Sequence, residues 1–264
     1  MIEMLSYPFM QRAIIGGLFV SLCAALLGVS LVLKSYSMIG DGLSHVGFGA
    51  LAIATALNAT PIFVALPIVI IFAFLLLRVS ENNLIKGDAS IAVVSSGSLA
   101  VGVIIVSLTK GMNTDLNNYL FGSVLAMDLS DVIFACVLSS VVIILFLLYY
   151  HRIFSVTFDE TFTRAIRLKA SLYNGIIATL TAVTIVIGMK MMGALLISSL
   201  IIFPALSAMR ICRTFRSVVL TSAVISCVCF IFGMYFSFLY DLPAGATVVV
   251  VNLFVFIICS IFKR

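Results

Sequence analysis

The feature that most restricts the fold of this chain is a succession of long apolar runs separated by short polar stretches. A helix needs about 20 predominantly apolar residues to cross the hydrocarbon core of a membrane. Nine runs approach or reach that length, near residues 12–33, 37–58, 61–79, 89–109, 131–151, 171–189, 192–209, 218–239 and 244–262. The pattern predicts an all-α, polytopic transmembrane helical bundle of about nine spans (eight to nine).

The composition supports a membrane protein. Hydrophobic residues make up 63% of the 264 residues and charged residues 9%, whereas soluble globular domains have about 45–50% apolar and about 25% charged residues. The spans use nearly the whole chain, so we expect residues 1–264 to form a single transmembrane domain in contact with membrane lipid. The net charge of +5 comes from basic residues scattered between apolar runs, which is typical of membrane topology and predicts no nucleic-acid partner.

The basic residues also predict an orientation. If residue 34 is cytoplasmic, alternation of nine spans leaves three basic residues outside and twelve inside. The outer three are Arg12, Lys110 and Lys190, and the inner twelve are Lys34, Arg78, Lys86, Arg152, Arg164, Arg167, Lys169, Arg210, Arg213, Arg216, Lys263 and Arg264. Cytoplasmic loops carry the excess of Lys and Arg. We therefore expect the amino terminus outside and the carboxy terminus inside.

The sequence lacks the motifs that are typical of several enzyme classes and cofactor sites. The six cysteines have no Cys-x-x-Cys spacing, so a disulfide framework is not expected. The chain contains no phosphate-binding Gly-x-x-x-x-Gly-Lys-[Ser/Thr] loop and no His-Glu-x-x-His metalloprotease motif. We predict that the chain is not an enzyme and holds no permanently bound cofactor.

Asp41 and His45 are the strongest candidates for a functional site. They lie four residues apart in the second span, within a stretch that is otherwise apolar or small. Ionisable residues at membrane depth usually face a bundle interior, a cavity or an ion path, because burying their charge in lipid is costly. Residues at i and i+4 share one helix face, so this carboxylate and imidazole can converge on one metal ion. We expect the pair in the cytoplasmic half of the span.

A two-fold dimer would supply two copies of the pair, giving two oxygen and two nitrogen ligands. That set suits tetrahedral Zn²⁺ and, with added water, Mn²⁺ or Fe²⁺. Two alternatives remain open. Asp41 and His45 could form an ion pair that ties two helices together, or Asp41 could relay protons in a secondary cation transporter that uses no ATP.

Two connecting segments have distinctive polar sequences. The segment from Lys110 to Asp131 is expected outside, with a short helix in its second half. The segment near 157–169 is expected inside as a short helix, because Asp159 and Glu160 precede Arg164 and Arg167 in the order that the helix dipole favours.

Four stretches of this sequence resemble the membrane permease of bacterial ABC-type zinc/manganese importers. They are Met-Ile-Gly-Asp-Gly-Leu-Ser-His (38–45), Phe-Asp-Glu-Thr-Phe-Thr-Arg-Ala (158–165), Met-Gly-Ala-Leu-Leu-Ile-Ser-Ser-Leu-Ile-Ile-Phe-Pro-Ala (192–205) and Pro-Ala-Gly-Ala (243–246). The similarity extends from about Tyr7 to the end of the chain.

This resemblance implies a homodimeric permease of the bacterial cytoplasmic membrane that imports a divalent metal ion, with Zn²⁺ preferred over Mn²⁺ or Fe²⁺. It implies an extracellular solute-binding protein that delivers the metal and a separate cytoplasmic ABC ATPase dimer that drives transport. It places Asp41 and His45 on the metal path. It also implies an ATPase-coupling helix containing Asp159, Glu160, Thr161, Phe162, Arg164, Ala165 and Arg167. Many relatives carry Gly where this chain has Arg167.

Overall fold

A computed structural model describes Met4 and residues 6–81, 87–109 and 128–261. Its helices are Pro8–Leu33 (α1), Ile39–Ala56 (α2), Pro61–Glu81 (α3), Gly87–Leu108 (α4), Leu129–Leu148 (α5), Tyr150–Phe158 (α6), Glu160–Ala165 (α7), Ala170–Met192 (α8), Ala194–Ile211 (α9), Phe215–Tyr240 (α10) and Ala244–Ile261 (α11). No strand occurs in these residues. The prediction of an all-α bundle is confirmed. The short helix expected in the second half of 110–131 falls almost entirely outside the described residues.

Eight helices in the described ranges are long and apolar enough to cross a membrane, namely α1, α3, α4, α5, α8, α9, α10 and α11. The helix α2 is the ninth element that the sequence predicts as a span. It has 18 residues, but Asp41, Ser44, His45 and several glycines dilute its apolar content. A helix of this kind needs protein neighbours more than lipid.

The interior of the bundle is formed by α1, α2, α8 and α9. The helix α1 packs against α5, α8, α9 and α10, whereas α2 packs against α3, α4, α8 and α9. On α2, the side chains of Ile39, Leu43, Val46 and Ala50 are buried. The sequence predicts that this face meets lipid or apolar neighbours, and the structure assigns it to apolar neighbours.

Gly28 allows a close contact between α1 and α9. A Cβ atom at Gly28 would lie 2.0 Å from the carbonyl oxygen of Ile201, which is closer than any real contact. Only a residue without a side chain lets the two backbones meet at this distance, as is common where membrane helices pack. The α1–α9 contact fixes the position of α9 beside α2.

Candidate functional site

The two candidate ligands lie together near the start of α2. The distance from Asp41 Oδ2 to His45 Nε2 is 3.7 Å, and the side chains are 42% and 23% exposed, respectively. A hydrogen bond between these atoms would need a separation of about 3.2 Å or less. The carboxylate and the imidazole therefore do not hydrogen-bond to each other through these two atoms. Asp41 also lies in the first turn of α2, where the positive end of the helix dipole stabilises a carboxylate.

The spacing of the pair is compatible with one bound cation. Bonds of about 2.1 Å from Asp41 Oδ2 and His45 Nε2 to a shared ion would span the observed 3.7 Å at an angle of roughly 120°. That angle is slightly wider than tetrahedral. The pair can therefore act as two adjacent ligands without rearrangement of α2.

The second ring nitrogen of His45 is buried and makes no hydrogen bond with the described residues. In permanent metal sites, the non-coordinating nitrogen of a histidine ligand almost always donates to a carboxylate, a carbonyl or water, which fixes the ring and strengthens the ligand. The described protein atoms provide no such partner for Nδ1.

Among the described residues, one copy of the chain brings two candidate metal ligands together at this place. Within the described ranges, no three or more His, Cys, Asp and Glu side chains cluster closely enough to hold a metal ion. Structural and catalytic zinc sites use at least three protein ligands. Asp41 and His45 alone therefore give fewer protein ligands than such a site uses.

The alternative role, an Asp41–His45 ion pair that ties two helices together, does not match the structure. Both residues lie on α2, and neither makes a hydrogen bond or ion pair to another helix within the described residues. The polar link from α2 to α9 is formed instead by Ser198, whose hydroxyl donates to the Ser44 hydroxyl at 3.3 Å.

The contacts of Ser44 show where the pair lies along the neighbouring helices. Ser44 contacts Ser198, which lies four residues after the start of α9. That start follows directly on α8, whose other end adjoins α7. The pair therefore lies nearer the α8–α9 connection than α7. If the orientation expected from the charges holds, the pair lies in the outer half of the bundle and not in the expected cytoplasmic half.

The reason for this difference is the level at which α2 begins. Gly40, in the first turn, lies against the side chain of Ile201 near the middle of α9, since a Cβ there would be 3.2 Å from Ile201 Cδ1. Counting residues from Lys34 gives a position along α2. It does not give depth in the bundle.

The segment implied to couple to an ATPase forms two helices. Residues 157 and 158 end α6, Asp159 is extended with a φ of −146°, and α7 begins at Glu160. The Asp159 carboxylate accepts a hydrogen bond from the backbone N–H of Phe162 at 2.8 Å, which is a regular N-cap. The expected single helix near 157–169 is therefore shorter at both ends.

The helix α7 has one buried side and one exposed side. Thr163 is fully buried, and its hydroxyl lies 2.9 Å from that of Ser155 on α6. All members of the implied coupling set except Glu160 are exposed, namely Asp159, Thr161, Phe162, Arg164, Ala165 and Arg167. Phe162 is 57% exposed. This side is an accessible surface at the α7 end of the bundle.

Glu160 points away from that surface into a polar junction. Its Oε2 atom lies 3.6 Å from Lys34 Nζ and accepts a hydrogen bond from Asn174 Nδ2 at 3.2 Å. Lys34 Nζ in turn donates to Asn174 Oδ1, and Arg164 donates to Glu160 Oε1 at 2.6 Å. Sequence reasoning treated Lys34 only as a topological charge and missed Asn174, whose signal is a polar residue near the start of an apolar run.

Comparison with known proteins places the chain in a transporter family. Residues 6–263 match the family model described as the ABC 3 transport family. This chain belongs to the ABC 3 transport family. It is 31% identical over 258 residues to the high-affinity zinc uptake system membrane protein ZnuB of Haemophilus influenzae, covering 98% of both chains.

Further comparisons agree with this family. The chain is 28% identical over 259 residues to the manganese transport system membrane protein MntC of Listeria monocytogenes, covering 98% of this chain and 92% of that one. The solved structure described as PsaBC from Streptococcus pneumoniae in complex with Fab shares the fold, with a TM-score of 0.87 and 24% identity. That match covers 97% of this chain and 92% of the other. This ABC 3 family member is thus a multi-pass protein of the cytoplasmic membrane.

The backbone explains why Gly is common in relatives at position 167, as the family resemblance implies. Arg167 has a φ of 60° and follows the last residues of α7. Its N–H donates to Arg164 O at 3.0 Å, and the N–H of Leu168 donates to Thr163 O at 3.1 Å. These two bonds form a Schellman motif, in which the left-handed residue is usually Gly.

We expect Arg167→Gly to stabilise this ABC 3 family member by about 0.5–1 kcal/mol, since relief of the left-handed strain exceeds the entropic cost of Gly. Thermal unfolding of the purified protein measures the change. Ala165→Gly is the matched control, because Ala165 is the last residue of α7 and has no left-handed backbone to relieve; this substitution should destabilise the protein by about 0.5–1 kcal/mol. Equal destabilisation by both substitutions would contradict the assigned backbone strain.

The junction of Glu160 also predicts a pH dependence. Burial acts to raise the pKa of Glu160, but hydrogen bonds from Arg164 and Asn174 and the charges of Lys34 and Arg164 outweigh it, so the pKa is lowered. A carboxyl with a lowered native pKa contributes stability above its unfolded pKa and loses that contribution as the pH falls through the native value. We expect the difference in melting temperature between wild type and Glu160→Gln to be largest at neutral pH and to shrink on acidification. A difference that grows in acid would refute the charged junction.

Proposed function

We propose that this chain is the permease subunit of an ATP-driven importer that moves a divalent metal ion, with Zn²⁺ as the first choice, across the cytoplasmic membrane. The observation that carries the proposal is the Asp41–His45 pair, two metal-ligating groups 3.7 Å apart inside a membrane bundle. Residues 1–264 form the single transmembrane permease domain. The chain itself hydrolyses no ATP.

Two copies of the chain complete the ion site in this proposal. Each copy brings one carboxylate and one imidazole, and a two-fold axis beside α2 would place the two pairs opposite each other. Two oxygen and two nitrogen ligands satisfy Zn²⁺ without further groups. The partial exposure of both side chains in one copy leaves room for the second copy and for water.

The choice of ion rests on ligand chemistry and on relatives. An imidazole and carboxylate set suits Zn²⁺, and the same set with added water suits Mn²⁺ or Fe²⁺. The relatives described above include one named for zinc uptake and one named for manganese transport. Mn²⁺ or Fe²⁺ import is therefore the alternative within the same function.

The proposed partners occupy opposite ends of the bundle. The exposed side of α7, with Phe162 and Arg164, receives the cytoplasmic ABC ATPase dimer. An extracellular metal-binding protein delivers the ion at the α8–α9 end, close to Asp41 and His45. This arrangement follows from the orientation with the amino terminus outside and the carboxy terminus inside.

The proposed mechanism is alternating access. The ion leaves its binding protein, and the two Asp41–His45 pairs replace part of its hydration shell. Binding must be moderate, because an ion held too tightly would not leave. Movement of α7 driven by ATP on the partner then opens the inner side of the path.

Uptake into proteoliposomes tests the proposal and separates it from a secondary transporter. The complex of permease, ATPase and binding protein is reconstituted, and uptake of Zn²⁺ and of Mn²⁺ is followed with and without ATP. We expect uptake only with ATP, and competition between the two ions identifies the preferred one. Equal uptake without nucleotide would support the secondary transporter, and failure to import any divalent metal would overturn the proposal.

A further inference from the structure

The junction of Lys34, Asn174 and Glu160 joins the end of α1 to α7 and α8, which are distant from it in sequence. Lys34 ends α1, Asn174 lies in the second turn of α8 and Glu160 begins α7. The side chain of Lys34 is 8% exposed and Asn174 is 1% exposed. A lysine buried this far from water is costly unless a carboxylate and further hydrogen bonds compensate its charge, and Glu160 and Asn174 do so here.

The junction is a direct polar link between α7 and the end of α1. The principal packing neighbours of α7 are α6 and α8, so the long side chain of Lys34 spans the gap to α1. Arg164 holds the second oxygen of Glu160 from the exposed side. Both carboxylate oxygens of Glu160 thus have polar partners, and these contacts hold the start of α7 against the end of α1.

A short, well-bonded connection then leads from Lys34 to the candidate metal site. Ser35 takes a φ of 61°, with its N–H bonded to Val32 O, and the N–H of Tyr36 bonds to Leu31 O at 2.8 Å. The N–H of Ile39 bonds to Tyr36 O at 3.0 Å, and α2 begins there. Asp41 follows two residues later. Such a connection transmits a displacement better than a flexible loop does.

We infer that Lys34 is a positioning residue that links movement of α7 to the Asp41–His45 pair through Glu160 and Asn174. The inference rests on the proposed function. When the ATPase moves α7, Glu160 displaces Lys34, and the bonded turn from Lys34 to Ile39 shifts the start of α2. Lys34 contacts neither the ion nor the ATPase in this arrangement. Its effect is on the coupling between ATP hydrolysis and transport.

The test compares metal transported per ATP hydrolysed in proteoliposomes that contain the complete complex. Lys34→Met keeps the length of the side chain and removes its charge. We expect the ratio of imported metal to hydrolysed ATP to fall about tenfold, a typical size for coupling between linked sites, while Zn²⁺ binding by the nucleotide-free complex stays unchanged. Lys34→Arg, which keeps the positive charge, should restore most of the ratio.

Lys190→Met is the matched control. Lys190 pairs with Asp131 at 2.6 Å near the opposite end of α8, so its loss removes an ion pair that has no connection to α7. The ratio of metal to ATP should remain that of the wild type. If the Lys34→Met complex does not assemble, Glu160→Gln is tested instead, because Gln preserves the shape of the junction and removes only the charge. Co-purification of the ATPase then confirms that the variant still docks.

The outcomes separate the two proposals. A wild-type complex that imports none of Zn²⁺, Mn²⁺ and Fe²⁺ overturns the proposed function and this inference with it. Import by the wild type together with an unchanged ratio in Lys34→Met overturns the inference alone, as does a reduced ratio that is matched in Lys190→Met. If Glu160→Gln is used in place of Lys34→Met, an unchanged ratio of metal to ATP likewise overturns the inference alone.

Discussion

Replacing His45 with Ala is expected to abolish metal uptake by the assembled transporter. In the proposed site His45 supplies one of the two ligands per copy, and its Nε2 lies 3.7 Å from Asp41 Oδ2. Loss of a residue that only hydrogen-bonds to a metal ligand typically lowers metal affinity or activity by about 10- to 100-fold. Loss of the ligand itself should therefore reduce uptake by about 100-fold or more. ATP-dependent Zn²⁺ or Mn²⁺ uptake in proteoliposomes measures the effect.

The chain offers a natural control, since it contains two histidines. His151 is exposed on α6, where its ring packs against Tyr150. His151→Ala should retain most of the wild-type uptake. Near-normal uptake by His45→Ala, with the dimer and the ATPase still bound, would rule out a direct role for His45.

The second large effect is expected from Gly28→Ala, which tests the packing that positions the site. The added methyl group would lie 2.0 Å from the carbonyl oxygen of Ile201, and a backbone oxygen cannot move aside as a flexible side chain can. Overpacking of this kind typically costs about 1–3 kcal/mol. We expect a lower melting temperature in detergent.

Metal uptake should also decrease in Gly28→Ala, because α9 contacts α2 through Ile201 and Ser198. Gly97→Ala is the matched control. Gly97 lies inside α4, and a Cβ there would meet no described heavy atom within 4 Å. That change should be neutral or stabilise the helix by about 0.5–1 kcal/mol. Equal stability of the two variants would refute the close α1–α9 approach.

Local sequence patterns predicted those parts of the fold that depend on local chemistry. Apolar runs gave the positions of the helices, and the spacing of Asp41 and His45 placed both on one face of α2. Asp159 was expected near the start of a short helix, and it is the N-cap of α7. Hydropathy and i,i+4 periodicity report on these features directly.

Features that depend on tertiary arrangement were not predicted. The level at which α2 begins is set by its packing against Ile201, so the depth of the Asp41–His45 pair could not be found by counting residues. Lys34 and Asn174 are 140 residues apart in sequence, and no local pattern indicates that they meet. The helix α7 ends early because Arg167 has a left-handed backbone conformation. An arginine in the sequence does not indicate that conformation.

The most direct test of the central claim is the number of metal ions that the nucleotide-free complex binds, measured by equilibrium dialysis with Zn²⁺. If two Asp41–His45 pairs share one ion, the complex should bind one ion per two permease chains beyond that held by the binding protein, and Asp41→Ala should remove it. Binding that persists unchanged in Asp41→Ala, or a stoichiometry of one ion per permease chain, would contradict the shared site.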